Sequence, residues 1–250
     1  MADAETYEAV AATLRDANHP VALTGAGVST ASGIPDFRSE GGIWEQFDPA
    51  EFQYSRFQRD PAGFWRLRTE LHDAVYGDGI EPNAAHTALA ALESRGHLRA
   101  LITQNIDGLH EQAGAESLIE IHGNGDRVIC TDCGRRSPMK PIKQRVAAGE
   151  LPPLCEVCDG VLKPDVVLFG EQLSKPLLQR AKHHARESDM FLAVGSSLRV
   201  EPAASLPRIA ARNGATLVVV NLESTPVSSM ATYDIRADVT EALPAIEQFV

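Results

Sequence analysis

A chain of 250 residues with 44% hydrophobic residues can bury a large core, as one sizeable domain or as one domain carrying a smaller insert. Its formal charge of −11 excludes the basic face that a sequence-independent grip on phosphate backbones needs, so no direct nucleic-acid partner is expected. Early acidic residues and the helical spacing of Tyr7, Val10, Ala11 and Leu14 stand where a targeting or membrane segment would carry basic residues and a long apolar run, so the cytoplasm is the expected compartment.

After that first helix, Val21-Ala22-Leu23-Thr24 runs into Gly25-Ala26-Gly27-Val28-Ser29-Thr30-Ala31-Ser32-Gly33-Ile34-Pro35-Asp36-Phe37-Arg38. A buried strand feeding small residues lets backbone N–H groups approach a diphosphate, because glycine has no Cβ to hold the ligand away. A dinucleotide is the natural ligand. The third glycine is displaced to position 33 and Pro35 interrupts the expected helix, so the spacing departs from the G-x-G-x-x-G fingerprint. A dehydrogenase would also need an acid about twenty residues beyond the loop. Trp44 and Glu45 occupy that neighbourhood, inside an insert at residues 39–80 that is rich in aromatics: Trp44, Phe47, Phe52, Tyr54, Phe57, Phe64 and Trp65.

A helix is predicted from Asn83, as its cap, through His86, Leu89 and Leu92 to Gly96, and others at about 176–187 and 203–213, the last ending at Gly214. The short apolar runs at 21–24, 100–103, 166–169, 191–194 and 217–220 read as fully buried parallel strands. Their alternation with helices predicts an α/β fold, a doubly wound parallel sheet interrupted by the aromatic insert and by a cysteine segment at 124–164. Within that segment Cys130, Cys133, Cys155 and Cys158 form two C-x2-C pairs. Paired thiolates on two tight turns make a closed tetrahedral zinc site, structural because no position is left open for water; disulfides are the rival reading, disfavoured in a reducing cytosol.

Three strand ends carry polar residues: Gln104-Asn105-Ile106-Asp107, Gly195-Ser196-Ser197 and Asn221. Such residues are also common turn formers, so a single end carries little weight, and the glycine loop makes four. Among eight histidines, His183 and His184 fall on a polar helix, His19 and His97 in turns, His72 in the aromatic insert, and His86 and His110 among apolar residues as packed, hydrogen-bonded groups. His122 differs: it follows the alternating strand Leu118-Ile119-Glu120-Ile121 and precedes Gly123, where the main sheet gives way to the cysteine segment. An imidazole in such a cleft can take a hydroxyl proton near neutral pH.

Taken together, Gly25 to Arg38, Thr103-Gln104-Asn105-Ile106-Asp107, His122-Gly123, the two C-x2-C pairs, Val167-Leu168-Phe169-Gly170-Glu171, Gly195-Ser196-Ser197-Leu198 and Val220-Asn221 resemble the sirtuins, NAD-dependent protein lysine deacylases. The resemblance spans about residues 20 to 245. It implies a Rossmann-like NAD-binding domain from residues 1–38, 81–123 and 165–250, with a small domain made of a helical module, 39–80, and a zinc-binding module, 124–164.

The same resemblance implies that NAD is a cosubstrate: its nicotinamide leaves, the acyl-lysine carbonyl oxygen captures the ribose, and acetyl-lysine proteins yield free lysine, nicotinamide and O-acetyl-ADP-ribose. Catalytic roles fall to His122 and Asn105. Gly25, Ala26, Gly27 and Thr30 line the diphosphate, with Arg38 as a charged clamp. Ile34, Asp36, Asn105, Ile106 and Asp107 surround nicotinamide, and Phe37 covers the reacting centre. Gln104 holds the ribose, Gly195, Ser196, Ser197 and Asn221 reach the adenosine half, and Val239 lies near adenine. The peptide is expected between Val166–Glu171, with Val166, Phe169, Gly170 and Glu171 as contacts, and Leu198–Glu201. Sirtuins that take acidic acyl groups share a Tyr and an Arg three residues apart in the helical module; Arg68 and Leu71 stand there, which favours a neutral acyl group. Longer neutral acyl chains and protein ADP-ribosylation are the alternative activities, and a zinc-ribbon binding module would leave the glycine loop and His122 idle.

Overall fold

The computed structural model describes residues 4–75 and 79–250, so the parts of the expected domains at 1–3 and 76–78 lie outside the described residues. Among the described residues nine strands follow in chain order: β1 (Pro20–Thr24), β2 (Ala100–Thr103), β3 (Leu118–Glu120), β4 (Gly123–Cys130), β5 (Arg136–Pro138), β6 (Leu162–Val166), β7 (Met190–Val194), β8 (Thr216–Val220) and β9 (Tyr233–Ile235). Six of them form a parallel sheet in the order β3-β2-β1-β7-β8-β9, and β5-β4-β6 form a second, antiparallel sheet.

The continuous apolar runs have a direct cause. Alternate residues of a strand face opposite sides of a sheet, so a sheet covered on both faces needs apolar residues at every position. Ala22, Leu101, Leu192 and Val218 pack in one cluster, with residues of helices Ala4–Asp16, Ala84–Ser94 and Val239–Gln248. Val21, Leu23, Ile102, Phe191 and Leu217 pack in another, with residues of helices Lys175–Glu187 and Leu206–Arg212. Asn83 caps its helix through Ala85 N–H (3.0 Å) and reaches the glycine loop at the Val28 carbonyl (2.8 Å) and the Ser32 hydroxyl (2.9 Å). The stretch read as one helix at 203–213 begins as a 3-10 turn, Ala203–Ser205.

The run at 166–169 is a correction. It is no strand of the parallel sheet: β6 starts earlier, at Leu162, and pairs antiparallel with β4 through Gly123↔Val166 and Cys130↔Leu162. Burial alone made the run apolar, since Val166 and Leu168 pack with Phe52, Phe57 and Phe64 of the aromatic insert. The boundaries expected at 123–124 and 164–165 therefore fall inside β4 and β6. β9 and the final helix, capped by the Asp238 side chain, complete the large sheet beyond the elements read from the sequence.

The aromatic and cysteine segments share a core. Trp65 packs with Val128, Cys130, Cys155 and Leu162, and its indole N–H donates to the Leu162 carbonyl at 2.8 Å. Buried indoles need such a partner, so this bond fixes the helical module against β6.

Candidate active site

The strand order reverses between β1 and β7, the place where open α/β sheets leave a crevice at the carboxyl ends of their strands. A cavity of about 380 Å³ lies there, walled by Gly25, Ala26, Gly27, Thr30, Asp36, Phe37, Arg38, Gln104, Asn105, His122, Gly195, Ser196, Ser197, Asn221 and Val239. Four strand ends meet through the backbone: Gly25 N–H donates to the Val194 carbonyl, Gln104 N–H to that of Thr24, and Gly195 N–H to that of Val220.

The glycines answer first to packing. A Cβ on Gly25 would come 2.7 Å from Ser196 Cβ, and one on Gly27 would come 2.8 Å from the Gly195 oxygen. The Gly27 N–H already donates to that oxygen, at 2.8 Å, and those of Val28 and Ser29 turn back on Gly25 and Ala26. The loop thus uses one of these amides to close on the residue after β7 and two on its own turns, which the sequence reading, centred on phosphate approach, did not anticipate.

His122 is half-buried between β3 and β4. Its Nδ1 lies 3.0 Å from the Gln104 carbonyl, and because a carbonyl can only accept, Nδ1 carries the proton and Nε2 keeps a lone pair. Burial pushes its pKa below the ordinary 6.5, against the opposing pull of the Gln104 bond, so the ring is neutral at pH 7. Gly123, at φ +82, allows the sharp departure that follows: a Cβ there would stand 2.0 Å from the Asp165 oxygen.

Asn105 is oriented from below. Its amide Nδ2 donates to the Gly25 carbonyl and to Ser29 Oγ, both at 3.1 Å, which leaves Oδ1 as its acceptor. Ser29 Oγ donates in turn to Asp107 at 2.7 Å. Burial pushes the Asp107 carboxyl up, while the Leu109 N–H and the Ser29 hydroxyl hold it down. Asp36 spends its carboxylate on the Arg38 N–H (2.7 Å), the Ser39 N–H (2.8 Å) and the Ser39 hydroxyl. Burial raises its pKa, but these bonds outweigh it and keep the group below the usual range.

Deeper still, the Asn105 N–H and Thr24 Oγ1 both donate to Thr103 Oγ1, so Thr24 accepts from His110 Nε2 at 2.9 Å. His86 Nδ1 accepts from the Asn83 N–H. These tautomers leave an N–H at His86 Nε2 and a lone pair at His110 Nδ1 without partners among the described residues, on buried rings 4.8 Å apart. The expectation of packed histidines holds, with one nitrogen of each hydrogen-bonded. Burial drives His86 to about 4 and, with the neighbouring His86, His110 to about 3.

The four cysteine sulfurs lie within 4.8 Å of one another, with Cys130–Cys158 at 3.5 Å and Cys133–Cys155 at 3.9 Å. Tetrahedral zinc with bonds of about 2.3 Å sets its sulfurs about 3.8 Å apart, so the cluster fits that ion. All four corners are protein sulfurs, and none of these cysteines lines the cavity.

Residues 25–202 match the Sir2 family. The chain belongs to the Sir2 family. It is similar to the NAD-dependent protein deacetylase of Haloarcula marismortui, 56% identical over 246 residues that cover 98% of this chain and 94% of that one. It is also similar to the NAD-dependent protein deacetylase of Saccharolobus solfataricus, 41% identical over 96% of this chain and 95% of that one. A Sir2 structure with a p53 peptide and NAD+ is 35% identical, with a TM-score of 0.84 and 96% of each chain covered. Another, with deacetylated p53 peptide and 3'-O-acetyl ADP ribose, is 36% identical, with a TM-score of 0.87 over 96% of this chain and 97% of that one.

Some residues expected in the Sir2 site do not line this cavity. Ile34 is buried with Ile43, Val75 and Leu109. Ile106 and Asp107 line a second cavity of about 260 Å³, with Arg68, Ile80 and Lys143. Val166 is buried, and Val167 is the half-exposed member of that pair, its N–H donating to the His122 carbonyl at 2.9 Å. Phe169 and Gly170 are exposed and neither lines the cavity, while the Glu171 carboxylate turns inward to Lys163 and the Leu168 N–H. Leu198 is buried at φ +51, a strained backbone for leucine that packing holds beside Ser197. The cavity also takes Ser39, Arg199, Leu222, Glu223 and Asp238 as walls. Glu223 lies three residues past the end of β8, beyond the Asn221 at which the strand-end reading stopped, and Asp238 follows β9, a strand that was not read.

Proposed function

We propose that this Sir2 chain is an NAD-dependent protein lysine deacetylase, converting acetyl-lysine, NAD and water into lysine, nicotinamide and O-acetyl-ADP-ribose. The observation that carries it is His122, neutral and with its Nε2 lone pair free, in the wall of a cavity built on the strand ends at the switch point.

NAD is the cosubstrate. Gly25, Ala26, Gly27 and Thr30 frame its diphosphate and Arg38 clamps it; Gly195, Ser196, Ser197 and Asn221 take the adenosine half, with Val239 by the adenine. Gln104, held by its own amide on Ser196 Oγ at 2.9 Å, positions the ribose. Asn105 presents Oδ1 near nicotinamide with Asp36, while Asp107 acts from behind through Ser29 and Ile34 supports the loop from the core. Phe37, tilted against Trp44 with ring centroids 5.1 Å apart, screens the reacting carbon from water. As the glycosidic bond breaks, the acetyl oxygen bonds to the anomeric carbon and nicotinamide leaves with the electron pair. His122 Nε2 then takes the ribose hydroxyl proton, so that oxygen attacks the acyl carbon; water completes release of lysine.

The exposed backbone of the 166–171 loop and the Leu198–Glu201 segment receive the peptide, whose side chains are read little. Leu71 packs in both aromatic clusters and offers no charge to an acidic acyl group, so acetyl is favoured. A four-thiolate zinc site fits a reducing compartment such as the cytoplasm.

The test is mass spectrometry of an acetyl-lysine peptide with and without NAD. Loss of the acetyl mass only with NAD, together with nicotinamide and O-acetyl-ADP-ribose, is the expected result. Turnover of longer acyl peptides alone, or ADP-ribose appearing on protein, would overturn it.

A further inference from the structure

β6 carries a charged side chain that its surroundings bury: the Lys163 side chain is 6% exposed. A buried ammonium persists only where acceptors replace its water. Lys163 Nζ donates to the Val166 carbonyl at 2.5 Å and to Glu171 Oε2 at 3.0 Å. The same Oε2 accepts the Leu168 N–H at 3.0 Å, and the Glu171 N–H returns to the Leu168 carbonyl at 3.0 Å. Gly170, at φ +77, supplies the left-handed turn between them. One ammonium therefore joins both ends of the loop from inside.

The outside of the loop is tied to other parts of the molecule. Val167 N–H donates to the His122 carbonyl at 2.9 Å; Phe169 N–H donates to the Phe52 carbonyl at 3.1 Å, and Tyr54 N–H to that of Phe169 at 2.8 Å. The Val167 carbonyl and both backbone groups of Gly170 make no hydrogen bond among the described residues. Those are the groups a peptide backbone can use, and their spacing depends on how tightly the loop closes.

We infer that Lys163 is a positioning residue for the peptide: by clasping Val166 and Glu171 it sets the loop that receives the substrate backbone, so it governs peptide affinity and leaves the nucleotide cavity alone. This rests on the assignment of residues 166–171 as the peptide edge. Met at 163 keeps the stem and removes the donors; Arg restores a donor that can span two acceptors.

The experiment measures kcat, KM for an acetyl-lysine peptide, KM for NAD, ADP-ribose affinity and bound zinc in the full chain. For Lys163→Met we expect peptide KM to rise at least tenfold, with ADP-ribose affinity and zinc content within twofold of the parent, and Lys163→Arg to recover most of the rise. Equal rises in both KM values, a fall in kcat at constant peptide KM, or no change would overturn the role. Should Lys163→Met not fold, Glu171→Gln keeps an acceptor for Leu168 and removes the charge pair; its peptide KM should rise severalfold, and an unchanged value would equally overturn it. Phe169→Ala, on the exposed side of the loop, separates the two layers. If it raises peptide KM while Lys163→Met does not, the clasp is wrong; if neither does, the peptide edge itself lies elsewhere.

Discussion

The large parallel sheet and the small antiparallel one are held together by different means. Every residue of β1, β2 and β7 is buried, and the large sheet is sealed by apolar side chains on both faces. The small sheet has two short strands beside β4, one edge of exposed residues in β5, and a core in which Trp65 packs against two of the four cysteines. Area is what stabilises the first, whereas a cross-link must hold the second, because so few apolar residues cannot offset the entropy of ordering it. His122 lies where one sheet hands over to the other, tied to the end of β2 through Gln104 and to the end of β6 through Val167.

That contrast can be broken at its junction first. His122→Ala should cut deacetylation by about 10²- to 10⁴-fold, the usual worth of a general base, while the melting transition and ADP-ribose affinity stay near the parent values. Retained turnover in a steady-state assay would remove the base from His122.

Removing zinc is the next largest blow and should fall on the small sheet and the Trp65 helix that packs with it, leaving the large sheet intact. Cys130→Ser, or a chelator acting on the parent, should release the metal and unfold residues 124–164, since binding energy at a closed site is folding energy. Hydrogen exchange would then rise in β4, β5 and β6 and remain slow in β1 and β7. A metal-free protein with protected small-sheet amides would contradict the division.

Acid should do the reverse, with the smallest effect. His86 and His110 sit in the large domain with folded pKa values of about 4 and about 3, below the ordinary 6.5. The unfolded chain binds more protons in that range, so their contribution is complete above pH 6.5 and drains away as pH falls toward 4 and then 3. Exchange-derived stability of β1 and β2 should decline over that window, read apart from zinc release by a metal indicator in the same samples. A flat profile down to pH 4 would mean that the pair is solvated or shares protons when folded.

The two regions also differ in how far the amino-acid sequence discloses them. The apolar runs at β1, β2, β7 and β8 announce strands because burial on both faces demands such residues without interruption. The same signal misleads at 166–169, where aromatic neighbours from a distant insert, and not the layers of the parallel sheet, bury Val166 and Leu168. The C-x2-C pairs foretell their cluster because ligand spacing is local. Gln104 to Asp107 is a harder case: consecutive residues leave one strand end for two cavities, so Asn105 meets the first while Ile106 and Asp107 meet the second. No spacing rule carries that division, which depends on Ser29 standing between Asn105 and Asp107.

Val167 donates its N–H to the carbonyl of His122, so two of the strands of chain passing between the sheets are bonded to each other at the candidate base. The chain therefore enters and leaves the small sheet through one shared knot, and the backbone that carries the imidazole is held from both crossings.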